Sequence, residues 1–348
     1  MLRYMTGGES HGKCLVAILD GMPAGLKLEK RAIDKELARR KIGFGRGRRM
    51  AIEKDSVEIL SGARHSYTIG SPITLLIKNV DCSGDRLGVI LEPRPAHADL
   101  SGALKYDHHD IRNVLERASA RDTASRVAVG AIAKTLLGEF GIGVTSRVIM
   151  IGGIKAKALM EREIADAARS GDTLGGIFEV VAKGVPAGLG SYSQWDRRLD
   201  GILAKAVMSI QAVKGVSFGI GFLYASKRGS AVHDEIFYDR KKGFYRKTNS
   251  AGGIEGGMSN GEEIVIRAVM KPIATLKKPL ASVNINTKKA VKAAVERSDT
   301  CAVPACGIVA EGVVALELAS AFLEKFGGDS IREVRRNYDG YIKQVKAF

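Results

Sequence analysis

Aromatic residues make up only 6% of this chain, with a single tryptophan, and cysteine occurs four times. Cys14, Cys82, Cys301 and Cys306 are scattered, a spacing that offers neither a disulfide framework nor a zinc pattern and suits a reducing, cytoplasmic compartment. So few aromatics leave little stacking surface for single-stranded nucleic acid. No uninterrupted apolar run reaches membrane-spanning length, and the N-terminus lacks the basic, apolar and cleavage regions of a signal peptide. No Pro/Ser-rich linker or strong repeat divides the 348 residues, so a single domain over 1–348 is expected. Acidic residues are also scarce: 38 against 54 Lys and Arg, a formal net charge of +16. That balance points to acidic partners, whether nucleic acid, anionic lipid or a polyanionic metabolite. The excess peaks between Arg31 and Arg49, where eight basic residues face only Asp34 and Glu36.

What is present is a core's worth of apolar residues, 45% of the chain. Their periodicity predicts strands over Lys13–Asp20, Val57–Leu60, Pro72–Ile77, Val144–Ile151, Ile177–Ala182, Ile264–Met270 and Ala281–Ile285. Helices are expected over Glu29–Lys41, Ser119–Leu137, Ser193–Val213 (with Ser193 as N-cap) and Val303–Phe326, the last stopped by Gly327 and Gly328. Ser330 followed by Glu333 is a capping-box pattern for a final helix. The polar stretch Ala225–Glu262 is too long for an ordinary connection and reads as a functional loop. Strands and helices do not alternate regularly, so an α+β fold is expected rather than a doubly wound parallel sheet.

Five runs could carry chemistry. Thr6–Gly12 sets Glu9, Ser10 and His11 among three glycines, which suits an anion-handling, proton-transferring turn and equally a glycine-rich turn with a solvated histidine. Arg94-Pro95-Ala96-His97-Ala98-Asp99 places a second histidine three residues after an arginine. Arg117-Ala118-Ser119-Ala120-Arg121-Asp122 suits a phosphate or carboxylate at a helix start, or an Arg–Asp-laced helix without a ligand. Asn249–Met258 holds four glycines in six residues but is no dinucleotide fingerprint. Lys271–Thr275 and Arg297-Ser298-Asp299-Thr300 combine cations with an aspartate that a neighbouring arginine would keep ionised.

Taken in order, these runs resemble the chorismate synthase family over nearly the whole chain. The resemblance rests on Gly8-Glu9-Ser10-His11-Gly12, Gly45-Arg46-Gly47-Arg48, Ser61-Gly62-Ala63-Arg64, Arg94–Asp99, Glu116–Arg121, Gly184–Gly190, Ser209–Gly215, Gly252–Gly257, Lys271-Pro272 and Glu296–Asp299. It implies conversion of 5-enolpyruvylshikimate 3-phosphate into chorismate, an anti-1,4 elimination of phosphate and a ring proton that needs reduced FMN without net redox change. It also implies a β-α-β sandwich, helices between antiparallel sheets, assembled as a homotetramer, with no nucleic-acid or membrane partner.

Residue by residue, His11 matches a histidine near the leaving phosphate, His97 one associated with the reduced flavin ring, and Asp299 an aspartate of proton handling at flavin N5. FMN contacts map to Arg117, Ala118, Ser119, Gln211, Ala212, Gly256, Lys271, Pro272, Ile273, Ala274, Thr275 and Arg297. Arg40 and Arg46 match NADP-associated positions, which makes NADPH a candidate reductant beside an external flavin reductant. Ser10, Arg46, Arg49, Arg94 and Arg121 are substrate-contact candidates. Two departures stand out: Ala96 replaces a usual glycine, so a positive φ there would be strained, and Ala118 replaces a usual serine. The competing readings are a basic nucleic-acid binder using the Gly45–Arg49 loop and an NADPH-flavin oxidoreductase without lyase activity.

Overall fold

Two four-stranded antiparallel sheets and a layer of helices account for most of the buried surface in the computed structural model, which describes residues 2–47, 52–241, 243–296 and 298–348. The first sheet runs Arg3–Gly7, Cys14–Asp20, Ile73–Lys78, Val57–Ile59 in spatial order. Strict alternation puts Leu15, Ala17 and Leu19 on one face, opposite Ile77, Leu75 and Ile73, and all six are buried. The second sheet runs Gly143–Ile151, Gly176–Lys183, Ile264–Met270, Val213–Phe218. Its buried face pairs Phe178 with Ala268, Val180 with Ile266 and Ala182 with Ile264.

The helices are α1 (Lys30–Lys41), α2 (Asp99–Tyr106), α3 (Arg112–Ala118), α4 (Thr123–Gly138), α5 (Lys157–Ser170), α6 (Leu199–Met208), α7 (Val303–Phe326) and α8 (Ile331–Ala347). α4 packs on the first sheet, α7 on the second, and the two helices pack on each other, with α1 against both. Their closest approach is at Gly130 and Gly312, where a Cβ added to Gly130 would lie 2.4 Å from the Gly312 Cα. Helix spacing follows side-chain size at the contact, so this pair sets a tight crossing. α7 has 24 residues, and its most apolar 18-residue window has a mean hydropathy of 1.8, long and apolar enough to cross a membrane, yet 83% of that window is buried inside the protein. The capping box at Ser330 and Glu333 is formed.

Two helix expectations are corrected. Ser119–Leu137 is not one helix: α3 ends at Ala118, Ser119 is extended (φ −61°, ψ 141°), and its hydroxyl accepts the Arg121 N–H at 3.3 Å. That local side-chain bond competes with helix continuation, so a short 3-10 turn precedes α4. Ser193–Val213 shrinks to α6, because Ser193 sits in a turn bonded to Ser191 and the helix starts where the Leu199 N–H meets the Gly257 carbonyl at 2.8 Å. Val213 begins a strand instead. The long polar stretch folds into two hairpins, Ile236–Asp239 with Gly243–Arg246 and Ile254–Glu255 with Met258–Ser259.

Candidate active site

The turn between the first two strands is built around Gly8, whose φ of +102° and closeness to the Cys14 carbonyl (2.3 Å from an added Cβ) admit only glycine. Asn79, at the end of the neighbouring strand, donates from its amide to the carbonyls of Glu9 (3.1 Å), Ser10 (3.3 Å) and Gly12 (2.8 Å). The Ser10 N–H meets the Glu116 carbonyl at 2.9 Å, and the Ser10 hydroxyl donates to Ser119 Oγ at 3.1 Å. Glu116, on α3, takes the His11 backbone N–H on one oxygen (2.6 Å) and His11 Nδ1 on the other (2.8 Å). Burial alone would raise the Glu116 carboxyl; the bonds from His11 outweigh it and hold it below its ordinary value. Arg117 pins the first strand, donating to the carbonyls of Gly8 (3.0 Å) and Thr6 (3.1 Å). Ala118 closes α3 beside it.

Behind this turn lies a buried ionic core. Arg121 donates from Nε to Asn79 Oδ1 at 2.9 Å and pairs with Asp55; Arg40 meets the other Asp55 oxygen at 2.8 Å and Thr123 Oγ1 at 3.2 Å. Burial pushes the Asp55 carboxyl up, but the two guanidiniums prevail and keep it below its usual range. Arg40 is 3% exposed, which places it inside the wall rather than at a surface, and its Nε has no partner among the described residues.

The second histidine belongs to a loop leading into α2. Ala96 there has φ +62°, the strained conformation that the departure from glycine implied. His97 Nδ1 lies 2.5 Å from Asp99 Oδ1. Asp99 also accepts the Arg94 N–H (2.9 Å), Nε (2.8 Å) and Nη2 (3.0 Å). Its own burial opposes ionisation; the His97 and Arg94 bonds overcome that and set the carboxyl far below its ordinary value. Arg94 continues to Thr275 Oγ1 at 2.8 Å, and the Thr275 carbonyl accepts the Ser298 hydroxyl at 2.9 Å. Next door, Asp299 binds the Arg46 guanidinium and the Gly47 N–H (2.6 Å). Its described arginine partner is thus Arg46, which the sequence had not paired with it.

Lys271 ties two left-handed alanines together. Its N–H donates to the Ala212 carbonyl at 2.9 Å, its ammonium donates to the Ala96 carbonyl, and Ala212 has φ +70°. Burial, helped by Lys214, lowers the Lys271 amine from its ordinary value. Pro272, Ile273 and Ala274 carry the chain from there to Thr275, with the Ile273 carbonyl accepting the Thr173 hydroxyl at 2.8 Å. Among the described residues, Gln211 Oε1 is buried without a partner, and a Cβ at Gly256 (φ +57°) would have no neighbour within 4 Å.

The structure therefore forms two groups. Ser10, His11, Arg117, Ser119 and Arg121 cluster at the N-terminal turn. Arg46, Arg94, His97, Lys271, Thr275 and Asp299 are linked, directly or through Ser298, along a second wall. Arg40 is bonded to the first group through Asp55. Arg49 and Arg297 lie outside the described residues. A cavity of about 280 Å³ lies elsewhere, between Arg39, Ser146, Phe178 and Pro304. Glu116, Asp99, Asn79 and Asp55 are functional neighbours that the sequence reading misses; Asp99, two residues after His97 in its motif, could have been found there, whereas Glu116 lies 105 residues from His11 and Asn79 and Asp55 carry no sequence signal.

Comparison with known proteins decides the family. The chorismate synthase family model matches residues 2–323. The chain belongs to the chorismate synthase family. It is 57% identical over 350 residues to the chorismate synthase of Thermoanaerobacter pseudethanolicus and 54% identical over 393 residues to that of Geobacter sulfurreducens, each comparison spanning all of both chains. A crystal structure titled chorismate synthase superimposes with a TM-score of 0.83 at 42% identity, covering 100% of this chain and 99% of that one. Membership makes the chain a carbon–oxygen lyase of aromatic biosynthesis.

Proposed function

We propose that this chain eliminates phosphate from 5-enolpyruvylshikimate 3-phosphate by the reduced-FMN-dependent anti-1,4 route. The ring C–O bond to phosphate breaks with its electron pair, a ring proton is lost, and a new C=C bond completes chorismate. The substrate carries two carboxylates and a phosphate, each phosphate monoester contributing roughly −1.5 to −2 charge. The net charge of +16 and the convergence of Arg46, Arg94 and Arg121 on the two histidine groups suit that anion.

The residues fit a flavin. The unpartnered Gln211 oxygen, the open backbone at Gly256, the lowered Lys271 amine and the Thr275 wall offer hydrogen-bonding and electrostatic partners for its ring and phosphate. With Arg117, Ala118, Ser119, Ala212, Pro272, Ile273 and Ala274 they would hold it. When bound, reduced FMN supplies transient electron density to the substrate, with no net redox change. His11 gives a proton or hydrogen bond to the departing phosphate, stabilising charge where it accumulates. His97, its Nδ1 on Asp99, would offer its other ring nitrogen to the reduced cofactor. Asp299, oriented by Arg46 and Gly47, manages the proton lost from the ring; an ionised carboxylate keeps acceptor sites beyond those two bonds. Arg46, with Arg40 contributing charge from inside the wall, suits NADPH as reductant, an external reductant being the alternative source. The fold is read as a single β-α-β sandwich, and the enzyme as a cytoplasmic homotetramer.

The observation that carries this reading is the pair of histidines, each with Nδ1 on a carboxylate, half-buried Glu116 for His11 and buried Asp99 for His97, set among arginines. Product analysis under anaerobic conditions tests it: substrate with dithionite-reduced FMN should yield chorismate and phosphate in equal amounts, and none with oxidised FMN. NADPH oxidation without phosphate release would favour an oxidoreductase. Nucleic-acid binding with a steep salt slope and no turnover would favour the basic-binder reading, although Arg46 faces Asp299 rather than solvent.

A further inference from the structure

We propose that Glu116 is a positioning residue for this elimination, fixing the His11 ring with a hydrogen on Nδ1 and stabilising the imidazolium whose Nε2–H meets the leaving phosphate. The proposal rests on the role given to His11 above. Both Glu116 oxygens go to the same residue: one to the ring Nδ1 at 2.8 Å, the other to the backbone N–H at 2.6 Å. Ring and main chain of His11 are thereby fixed by one carboxylate from a helix 105 residues away. The carboxyl lies below its ordinary value, so it is ionised at neutral pH and can only accept. Nδ1 must then carry a hydrogen, so exchange with a ligand runs through Nε2, which accepts in the neutral ring and donates to the phosphate only as the imidazolium that the Glu116 carboxylate stabilises.

Asp99 provides the contrast. It also holds a histidine through Nδ1, but three further bonds from Arg94 engage the same carboxylate. No guanidinium is seen bonded to Glu116 among the described residues; the nearby Arg112 meets Glu296 at 3.0 Å and the Gly88 carbonyl at 3.2 Å. Glu116 is therefore devoted to His11. Its removal need not unfold the turn, because the Ser10 N–H still binds the Glu116 carbonyl and Asn79 still holds three carbonyls.

The test compares the full-length wild type with Glu116→Gln, His11→Ala and the double variant, at saturating reduced FMN. Glutamine keeps one acceptor and turns an amide N–H₂ toward the other donor. The expected result is a kcat lowered roughly 10- to 100-fold by Glu116→Gln, with KM changed less than about threefold and an unchanged melting temperature. In the His11→Ala background the same substitution should have no further effect. Nitrogen NMR of the six selectively labelled histidines, with His11→Ala identifying the signal, should show Nδ1 bearing hydrogen in the wild type and a fraction lacking it in Glu116→Gln. An equal loss in both backgrounds, or an Nε2–H wild-type tautomer, overturns the proposal. Impaired His11→Ala with normal Glu116→Gln overturns Glu116 alone; full turnover by His11→Ala overturns the role of His11 and the positioning role with it.

Discussion

Arg46 and Asp299 stand 253 residues apart in the chain and meet in a pair largely closed to solvent, with the Gly47 N–H on the second carboxylate oxygen at 2.6 Å. The contact locks the glycine-rich arginine loop onto the segment that enters α7. Arg46→Ala should lower kcat on the order of 100-fold, because Asp299 loses the partner that orients it. Asp299→Asn, which keeps one acceptor, should slow proton handling on the order of tenfold. Steady-state phosphate release checks both, and unchanged rates would remove the pair from the mechanism.

Gly130 crosses Gly312 so closely that any side chain must push α4 and α7 apart. Gly130→Ala should destabilise the fold by about 1–3 kcal/mol, the usual cost of overpacking, despite alanine's better helix propensity. Thermal or denaturant unfolding reads this directly; a raised melting temperature would mean that the helices separate freely.

Ala96 holds φ +62° beside His97. Ala96→Gly should relieve about 1 kcal/mol of left-handed strain, partly offset by the freedom glycine gains in the unfolded chain. The expected net effect is a small rise in stability with turnover nearly unchanged. A clear loss of stability would show that the alanine methyl contributes packing that exceeds the strain.

Acid should loosen this protein through particular carboxylates. Asp99, ordinarily at 3.8, and Glu311, ordinarily at 4.5, are both held lower in the folded state: burial opposes, but His97 and Arg94 prevail at Asp99, and Arg39, Lys134 and Ser146 at Glu311. A lowered folded value means that the stabilisation is complete above the ordinary value and is lost as pH falls toward the folded one. Unfolding free energy should therefore decline from about pH 5 to about pH 3. Asp99→Asn should be less stable at neutral pH yet show a shallower decline; an equal slope would assign the acid sensitivity elsewhere. Glu311 also buries its charge completely, so Glu311→Ala, leaving Arg39 and Lys134 with Glu36 alone and the Ser146 N–H without its acceptor, should cost about 1–3 kcal/mol.

Much of this fold was readable because its buried faces keep a clean period. Leu15, Ala17 and Leu19 alternate, Ile33 and Leu37 recur at helical spacing, and α7 was bounded to the residue by apolar content and two glycines. The failures occur where a local polar bond overrides propensity. Ser119 breaks an otherwise helical run by accepting the Arg121 N–H, and the Arg3–Gly7 strand is too polar to announce itself without its partner strand. At the site, histidines and arginines stand out by type within short motifs. Their orienting partners do not: Asn79 reaches the N-terminal turn across 67 residues or more, and Asp55 joins Arg40 to Arg121 only after folding.

The central claim is an elimination that uses a reduced flavin without consuming it. The measurement that tests it most directly counts phosphate released per FMN oxidised, under argon, with a small fixed amount of dithionite-reduced FMN and excess 5-enolpyruvylshikimate 3-phosphate. Many phosphates per flavin, with the flavin still reduced at the end, is the predicted result. One flavin oxidised for each phosphate, or no phosphate at all, would contradict it.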